Sequence, residues 1–184
     1  MFDLLDTQAI RFLSPRMQAF TCIQARYEQL GGASGPLGFS LDDTRICVDG
    51  LGFYRHYQNG SIYWSAASGA YEVRGEIRIR WAFLGGERGP LGYPISGETS
   101  TADGMGLFNH FQSGSIYWSP RTRAHDLRGP IREHWLALGG ERSILGYPIT
   151  GEYDQGSLYR VSQFERGMIR WSQTRGIDVI RFSG

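Results

Sequence analysis

The chain has few of the residues that build covalent or metal-centred sites. Only two of its 184 residues are cysteines, Cys22 and Cys47, so at most one disulfide can form within it. We expect two free buried thiols, with that disulfide as the alternative. The four histidines form no HExxH or Cys–His ligand pattern, and no GxSxG, Walker-type or dinucleotide-binding motif is present. The sequence therefore predicts neither a metal site nor a bound cofactor.

An excess of charge of either sign is also lacking. Lys and Arg total 19 and Asp and Glu total 18, so the formal net charge is +1. Such a balance provides no long-range attraction to nucleic acid or to an anionic membrane, and we expect neither partner. No run of about 18 apolar residues and no secretion signal is visible. As written, the sequence is typical of a soluble cytoplasmic protein. Removal of a leader would make the cell wall or the extracellular space the alternative.

Glycine and aromatic residues, by contrast, are abundant, and one glycine-rich phrase is repeated. The 26 glycines and the 14% aromatic content favour short strands and tight turns. The phrase LGGERGPLGYP at 84–94 returns as LGGERSILGYP at 138–148, and more weakly as LGGASGPLGFS at 30–40. A repeat of about 54 residues predicts stacked supersecondary units in one domain. We predict three units, at 23–76, 77–130 and 131–184, preceded by an N-terminal extension at 1–22.

The N-terminal extension has its own weak pattern. Leu4, Leu5, Ile10 and Leu13 are loosely spaced as on one face of a helix. We expect this segment to cover an exposed end of the array, with an oligomer contact as the alternative.

Each unit is predicted to begin with a short helix. In IRIRWAFLGG the apolar residues Ile77, Trp81 and Leu84 fall on one helical face, and Gly85 and Gly86 can end the helix in left-handed geometry. The glycine- and proline-rich phrase that follows is then an irregular connector, since its prolines restrict the backbone.

A β-hairpin and a third strand complete the unit. The segments FYRHYQNGSIYWS and LFNHFQSGSIYWS each contain a central turn signal, and Asn59-Gly60 predicts a two-residue type I′ turn with positive φ at both residues. Further strands are predicted at 70–74 and 124–128. The fold is therefore α+β and β-rich, with a three-stranded meander in every unit.

The hairpins have two faces, because side chains alternate along a strand. One face is apolar in all three units and is predicted to be core; it carries Tyr57, Ile62, Trp64, Leu107, Phe111, Ile116, Trp118, Phe164, Ile169 and Trp171. The other face places aromatic rings beside neutral hydrogen-bonding groups, which suits a sugar, whose C–H faces stack on rings while its hydroxyls donate and accept. Together with two connector tyrosines, the predicted carbohydrate-binding residues are Tyr54, His56, Gln58, Tyr63, Tyr93, His110, Gln112, Tyr117 and Tyr147. Packing of this face against the helix of the adjacent unit is the alternative.

No residue set predicts catalysis. Glu98 and Glu152 recur in SGE and TGE, where we predict a solvated loop. One carboxylate per unit is not the acid and base pair that a glycosidase uses. We therefore expect binding, and the alternatives are an enzyme with its site in a groove between units or a purely structural module.

The repeated motifs resemble the LGFP repeat family. The likeness lies in the LGG and LGxP phrase, in the hairpin motif (YQNGSIYW, FQSGSIYW, FERGMIRW) and in the following RGxIRxxW (RGEIRIRW, RGPIREHW). It covers about nine-tenths of the chain. The first copy departs from the pattern, with Ser40 in place of the proline.

That resemblance implies a function and an arrangement of the units. Repeats of this type are similar to the modules attached to mycoloyltransferases, which are regarded as anchors for cell-wall polysaccharide. Their units pack about a pseudo-symmetry axis. By resemblance, we expect several equivalent, weak carbohydrate sites whose partner is a glycan or a cell-wall polysaccharide. A homodimer through the ends of the array is a further expectation.

Overall fold

This computed structural model describes residues 13–182, which contain three helices and twelve strands. Unit 1 consists of helix α1 (Pro15–Gln29), a 3₁₀ turn (Gly32–Ser34) and strands β1 (Arg45–Ile46), β2 (Gly52–Tyr57), β3 (Gly60–Ser65) and β4 (Gly69–Arg74). Unit 2 consists of α2 (Gly75–Phe83), a 3₁₀ turn (Gly86–Arg88) and β5 (Thr99–Ser100), β6 (Leu107–Phe111), β7 (Gly114–Ser119) and β8 (Arg123–Arg128). Unit 3 consists of α3 (Gly129–Ala137), a 3₁₀ turn (Gly140–Arg142) and β9 (Tyr153–Gln155), β10 (Tyr159–Phe164), β11 (Gly167–Ser172) and β12 (Gly176–Arg181).

Each unit contains a four-stranded antiparallel sheet, with the strands in chain order. The predicted hairpins and third strands are confirmed, but the three-stranded meander was incomplete. A strand of two or three residues precedes every hairpin and pairs with its first strand, as Arg45 does with Tyr54. So short a strand shows no alternation along the sequence, because its pairing depends on residues that lie further along the chain.

Helix α1 begins earlier than the repeat pattern indicated. The Ser14 hydroxyl accepts a hydrogen bond from the Met17 backbone N–H, and Pro15 occupies the first turn, where its missing N–H costs nothing. Ala19 is fully buried in the core of unit 1 beside Ile23. The boundary placed between residues 22 and 23 therefore lies inside α1. The proposed helical spacing of residues 4–10 falls outside the described residues.

The other two helices also begin two residues before their predicted starts, at Gly75 and Gly129. Their ends are as expected. Gly85 and Gly139 follow the helices with φ of 102° and 107°, which is left-handed geometry that glycine adopts without strain.

The hairpin turn differs from its prediction. Tyr57 pairs with Gly60, so the turn residues are Gln58 and Asn59, and neither Asn59 nor Gly60 has a positive φ. A type I′ turn is therefore excluded. Glycine is needed at position 60 for space, because a Cβ atom there would lie 2.8 Å from Leu37 and from the carbonyl oxygen of Val73.

The core forms between each helix and the sheet of its own unit, and helices α2 and α3 also pack on the sheet of the preceding unit. Helix α1 packs on β2, β3 and β4, α2 on β4, β7 and β8, and α3 on β7, β8, β11 and β12. The inward face of every hairpin is the one predicted from alternation, with Ile62, Ile116 and Ile169 fully buried. The array about a pseudo-symmetry axis stays a prediction.

Two further sequence expectations concern the thiols and the membrane. Cys22 and Cys47 are both free in the structure. Within residues 13–182, no helix combines the length and the apolar character needed to cross a membrane.

Candidate binding grooves at the repeat junctions

The repeated phrase LGGERGPLGYP attaches each unit to the one before it. The Tyr93 hydroxyl donates to the carboxylate of Asp49, 2.7 Å away, in the loop between β1 and β2. Tyr147 donates to Asp103 at 2.6 Å in the equivalent loop of unit 2. Burial raises the pKa of both tyrosines, and the neighbouring carboxylates raise it further.

The glutamate of the same phrase makes a second bond to that loop. Glu87 accepts from the Val48 backbone N–H at 3.1 Å, and Glu141 accepts from Ala102 at 2.8 Å. The phrase therefore supplies one hydroxyl donor and one carboxylate acceptor to each junction.

The first copy of the phrase lacks both junction groups. Ala33 stands where units 2 and 3 have glutamate, and Phe39 where they have tyrosine. No unit precedes the first copy among the described residues, and Phe39 is 64% exposed. The glutamate and the tyrosine are thus present in the two copies that bind the loop of a preceding unit, and they are replaced in the first copy.

Aromatic rings continue each junction into the core. Trp81 of α2 meets Tyr63 of unit 1 edge-on, with ring centroids 4.6 Å apart, and stacks on Phe111 of its own sheet at 5.9 Å. Tyr117 and Phe164 hold Trp135 in the same way at the second junction. The outer sheet face of one unit therefore packs against the helix of the next, as the alternative for this face proposed.

Two buried ion pairs, one within unit 1 and one within unit 2, lie against the following unit. Arg26 of α1 bonds Glu72 at 2.8 Å and Arg80 of α2 bonds Asp126 at 2.7 Å, and both carboxylates are almost fully buried. The glycines of SGE and TGE lie against these pairs, because a Cβ on Gly97 or Gly151 would collide with the arginine and the carboxylate.

The solvated loop predicted at Glu98 and Glu152 is wrong. Both side chains are less than a tenth exposed, and they pair with Arg74 and Arg128 at the ends of β4 and β8. Burial raises the pKa of both glutamates, although the arginines oppose this shift. These residues therefore belong to the junctions.

One cluster at the first junction has groups of the kind that bind metals. Ligand atoms of Cys47, Asp49 and Glu87 lie within 4.8 Å of one another. Burial raises the pKa of the Cys47 thiol to about 12, which keeps it protonated at neutral pH. In unit 2, Thr101 occupies the cysteine position and bonds Tyr147 at 2.8 Å. The three residues of the cluster therefore occupy the positions that form the junction hydrogen bonds in both units.

We expect Tyr147→Phe to lower the free energy of unfolding by about 1–3 kcal/mol, because Asp103 and buried Thr101 lose their shared partner. Tyr153→Phe is the matched control, since within residues 13–182 its exposed hydroxyl bonds only Gln163; this change should alter stability by less than about 0.5 kcal/mol. Urea denaturation measures both, and equal effects would contradict the junction assignment.

The structure divides the predicted carbohydrate-binding residues into two groups. The rings of Tyr93, Tyr117 and Tyr147 are at most 6% exposed, so they offer little surface on which a sugar could stack. Tyr63 is half-buried against Trp81. The remaining residues reach the surface and are Tyr54, His56, Gln58, His110 and Gln112.

His110 and Gln112 line an open groove of about 400 Å³ between the hairpin of unit 2 and helix α3. Its other side chains are Ile95, Phe111, Ser113, Arg132 and Glu133. Its volume is within the range of about 300–1,000 Å³ found for small-molecule sites. We call it the His110 groove.

Hydrogen bonds determine the protonation of the histidine. Arg132 donates through Nε to Ser115 Oγ at 2.7 Å, and its NH2 group lies 3.4 Å from His110 Nδ1. Because arginine can only donate, Nδ1 is the acceptor, and the Ser115 hydroxyl 2.6 Å away donates to it as well. Burial and the charge of Arg132 both lower the pKa of His110, so the ring is neutral at pH 7. The proton of the neutral His110 ring therefore lies on Nε2, and this nitrogen has no hydrogen-bond partner among the described residues.

Unit 1 has the same histidine, serine, glutamine and arginine at equivalent positions, and we call this surface the His56 groove. His56 Nδ1 lies 2.6 Å from Ser61 Oγ, and Gln58 occupies the position of Gln112. Arg78 corresponds to Arg132 on the helix, and burial again lowers the pKa of the histidine. Sequence reasoning missed both arginines, although their recurrence in RGEIR and RGPIR was visible.

Comparison with known families identifies the family of the chain. The LGFP repeat model matches residues 37–89 and 91–143, which together exceed half of the chain. The protein belongs to the LGFP repeat family. Each LGFP match runs from one connector to the next, so it contains a sheet, the following helix and the junction between them. No curated protein matches the chain. Membership of the LGFP repeat family suggests a cell-wall-associated repeat module.

The histidine chemistry of this LGFP repeat protein can be tested by NMR. We expect His110 and His56 to titrate below pH 6.5, with Nδ1 as the unprotonated nitrogen above that pH. Arg132→Gln removes one of the causes of the lowered pKa at His110, so the value there should rise towards 6.5 while His56 stays unchanged. An ordinary or raised pKa for His110 in the unmodified protein would contradict the assignment.

The Ser–His pairs of the LGFP repeats do not have the geometry of a nucleophile and its base. Ser61 and Ser115 are completely buried, so their hydroxyls cannot reach a substrate in this structure.

A second groove, of about 470 Å³, lies at the junction of LGFP units 2 and 3. Asp103, Glu141 and Tyr147 line it beside Met105 and Arg121. Its three acidic side chains, Asp103, Glu141 and Glu165, each already accept a hydrogen bond. The first junction has Ala67 in place of Arg121.

Proposed function

We propose that this LGFP repeat protein binds carbohydrate through the His56 and His110 grooves. The observation that supports the proposal is an open groove lined by His110, Gln112 and Arg132, together with the same three residue types at the equivalent positions of unit 1. Each junction is made mainly by other groups, namely the connector tyrosine, the helix tryptophan and the Arg74–Glu98 or Arg128–Glu152 pair.

The groups in the grooves match the surface of a sugar. Ile95 is 44% exposed at the His110 groove and Leu41 is 64% exposed at the corresponding place in unit 1, so both offer an apolar surface to sugar C–H groups. Gln112 and His110 provide hydrogen bonds from positions held by their own partners. Small-molecule sites commonly combine apolar walls with a few polar groups of this kind.

Two equivalent sites on one chain suit a polymeric ligand. Unit 3 has Gln163 at the position of the histidine and Met168 at that of the serine, so it does not repeat the arrangement. A polysaccharide that occupies both grooves gains avidity without a new contact, by about 10²–10⁴-fold for suitable spacing. The partner is thus expected to be a cell-wall polysaccharide or another repetitive glycan.

Immobilised polysaccharides, arabinogalactan among them, provide the test. We expect His56→Ala and His110→Ala each to weaken binding by at least tenfold through lost avidity, and the double variant to bind only at background. Arg121→Ala, at an exposed residue of the second groove, is the matched control and should bind as the unmodified protein does.

The possible results separate the sites. Binding that survives the double histidine variant and disappears with Arg121→Ala would move the site to the groove beside Tyr147. The absence of binding to any polysaccharide would reject the proposed function.

A further inference from the structure

We infer that the His56 and His110 grooves prefer an acidic sugar, one that carries a carboxylate or a phosphate group, over a neutral sugar. This inference rests on the proposed function, since it names the class of carbohydrate for the same grooves. It follows from the hydrogen-bonding groups that remain unused in each groove.

The two glutamines present donors to the grooves. Gln112 Oε1 accepts from the Tyr93 backbone N–H at 3.0 Å, and Gln58 Oε1 accepts from Phe39 at the same distance. Only the carbonyl oxygen of an amide can accept from an N–H, so these bonds determine which way each amide is turned. The NH₂ end is left for a ligand.

The glutamine orientation is supported by a nearby glycine in both units. Gly92 and Gly38 have φ of 70°, and a Cβ atom on either would collide with the amide oxygen of the adjacent glutamine. The side chain therefore fits closely over the connector, and the arrangement is the same in the two copies.

The histidine and arginine of the His110 groove are also donors. His110 Nδ1 is used by Ser115, which leaves the Nε2–H for a ligand. Arg132 uses Nε for Ser115 and keeps its full positive charge and further N–H groups. Gln112, His110 and Arg132 thus all present N–H donors to a ligand. The positive charge of Arg132 favours a ligand whose acceptor atoms are negatively charged.

Two acceptors at the rim limit this preference. Glu133 is exposed beside Arg132, and the exposed Ser113 hydroxyl can accept as well as donate. In unit 1, Ile79 replaces Glu133. Asp42 lies near His56 there, but its oxygens are used by the His56 N–H and by Arg45. The groove chemistry therefore favours an anionic group, and substitution of Glu133 should strengthen that preference.

Titrations followed by NMR, at the side-chain amides of Gln58 and Gln112, test the inference. D-glucuronate, D-glucose 6-phosphate, D-glucose and inorganic phosphate are the four probes. We expect the two acidic sugars to bind at least about tenfold more tightly than glucose, which is the value of one charge-assisted hydrogen bond. Binding should weaken as salt is raised.

Two variants make the test specific to one groove. Arg132→Gln should remove the preference at Gln112 and leave the response of Gln58 intact. Glu133→Gln, at an exposed position that should not affect folding, should tighten binding of glucuronate at Gln112 by about fivefold, as expected for one nearby charge in a wet groove.

The outcomes distinguish the inference from the proposed function. If glucose shifts both amides as readily as glucuronate does, the acidic preference is wrong and carbohydrate binding stands. If Glu133→Gln leaves the affinity for glucuronate unchanged, the charge argument fails. Inorganic phosphate binding as tightly as glucose 6-phosphate would mean that the grooves recognise an anion and not a sugar. If none of the sugars shifts either amide, both proposals fail.

Discussion

Replacing Trp135 with alanine is expected to lower the free energy of unfolding by about 3–5 kcal/mol, the usual cost of removing a fully buried tryptophan. The ring is completely buried and meets Tyr117 edge-on at 4.7 Å and Phe164 face to face at 5.9 Å. Its Nε1–H also donates to the carbonyl of Gly146 at 3.0 Å, which would lose its partner. One substitution thus removes contacts to the sheet of unit 2, to the sheet of unit 3 and to the connector.

The adjacent residue of the same helix provides the control. Leu136 is 40% exposed, so Leu136→Ala should change stability much less, by about 0.5 kcal/mol or below. Urea denaturation followed by tryptophan fluorescence and by circular dichroism measures both variants. A loss of less than about 1 kcal/mol in Trp135→Ala would mean that the ring does not join the two units as described.

The second large effect is expected at the buried ion pair of Asp126. Asp126→Ala leaves Arg80 without its carboxylate, and the loss of one member of a buried pair costs about 3–5 kcal/mol. Arg80 keeps about a quarter of its surface exposed, so we expect a value at the lower end of that range. The measurement is again the free energy of unfolding in urea.

An exposed pair of similar geometry shows whether burial is the cause. Arg170 and Asp178 lie 3.0 Å apart with about a third or more of each side chain exposed, so Asp178→Ala should cost no more than about 1 kcal/mol. The double variant Arg80→Met, Asp126→Leu should recover most of the stability, because it leaves no charge unpaired. Equal losses in Asp126→Ala and Asp178→Ala would contradict the argument.

Local rules were enough to predict several elements of each unit. The 54-residue repeat located the three helices, and the φ of Gly85 and Gly139 is the one that a helix-ending glycine requires. Alternation along the hairpin separated the buried face of Ile62 and Ile116 from the outer face. These features depend on residues a few positions apart, so their pattern is visible in the chain.

Local rules failed where a contact partner lies far along the sequence. Glu98 has the composition of a solvated loop, yet it is buried because Arg74 and the junction cover it. Gly60 resembles a turn glycine, but it is there because Leu37 and the next strand leave no room for a side chain. In both cases the deciding neighbour is not adjacent in sequence.

The candidate site was predicted in part for the same reason. His56, Gln58, His110 and Gln112 lie at the surface as expected. Tyr117 shares their sheet face, but it is buried by the helix of the next unit, because parity along a strand does not say what packs on the face. The arginines that complete the grooves come from that same neighbouring helix.

By itself, therefore, the sequence determined that the protein is an array of repeated α+β units, belonging to the LGFP repeat family by its motifs, with one apolar face per hairpin. Only the tertiary structure decided which groups on the other face are used in the junctions and which are left for a ligand. The physical reason is that each junction joins residues about 40–50 positions apart, such as Asp49 with Tyr93 and Asp103 with Tyr147, and burial and hydrogen bonding between such residues depend on how the units stack.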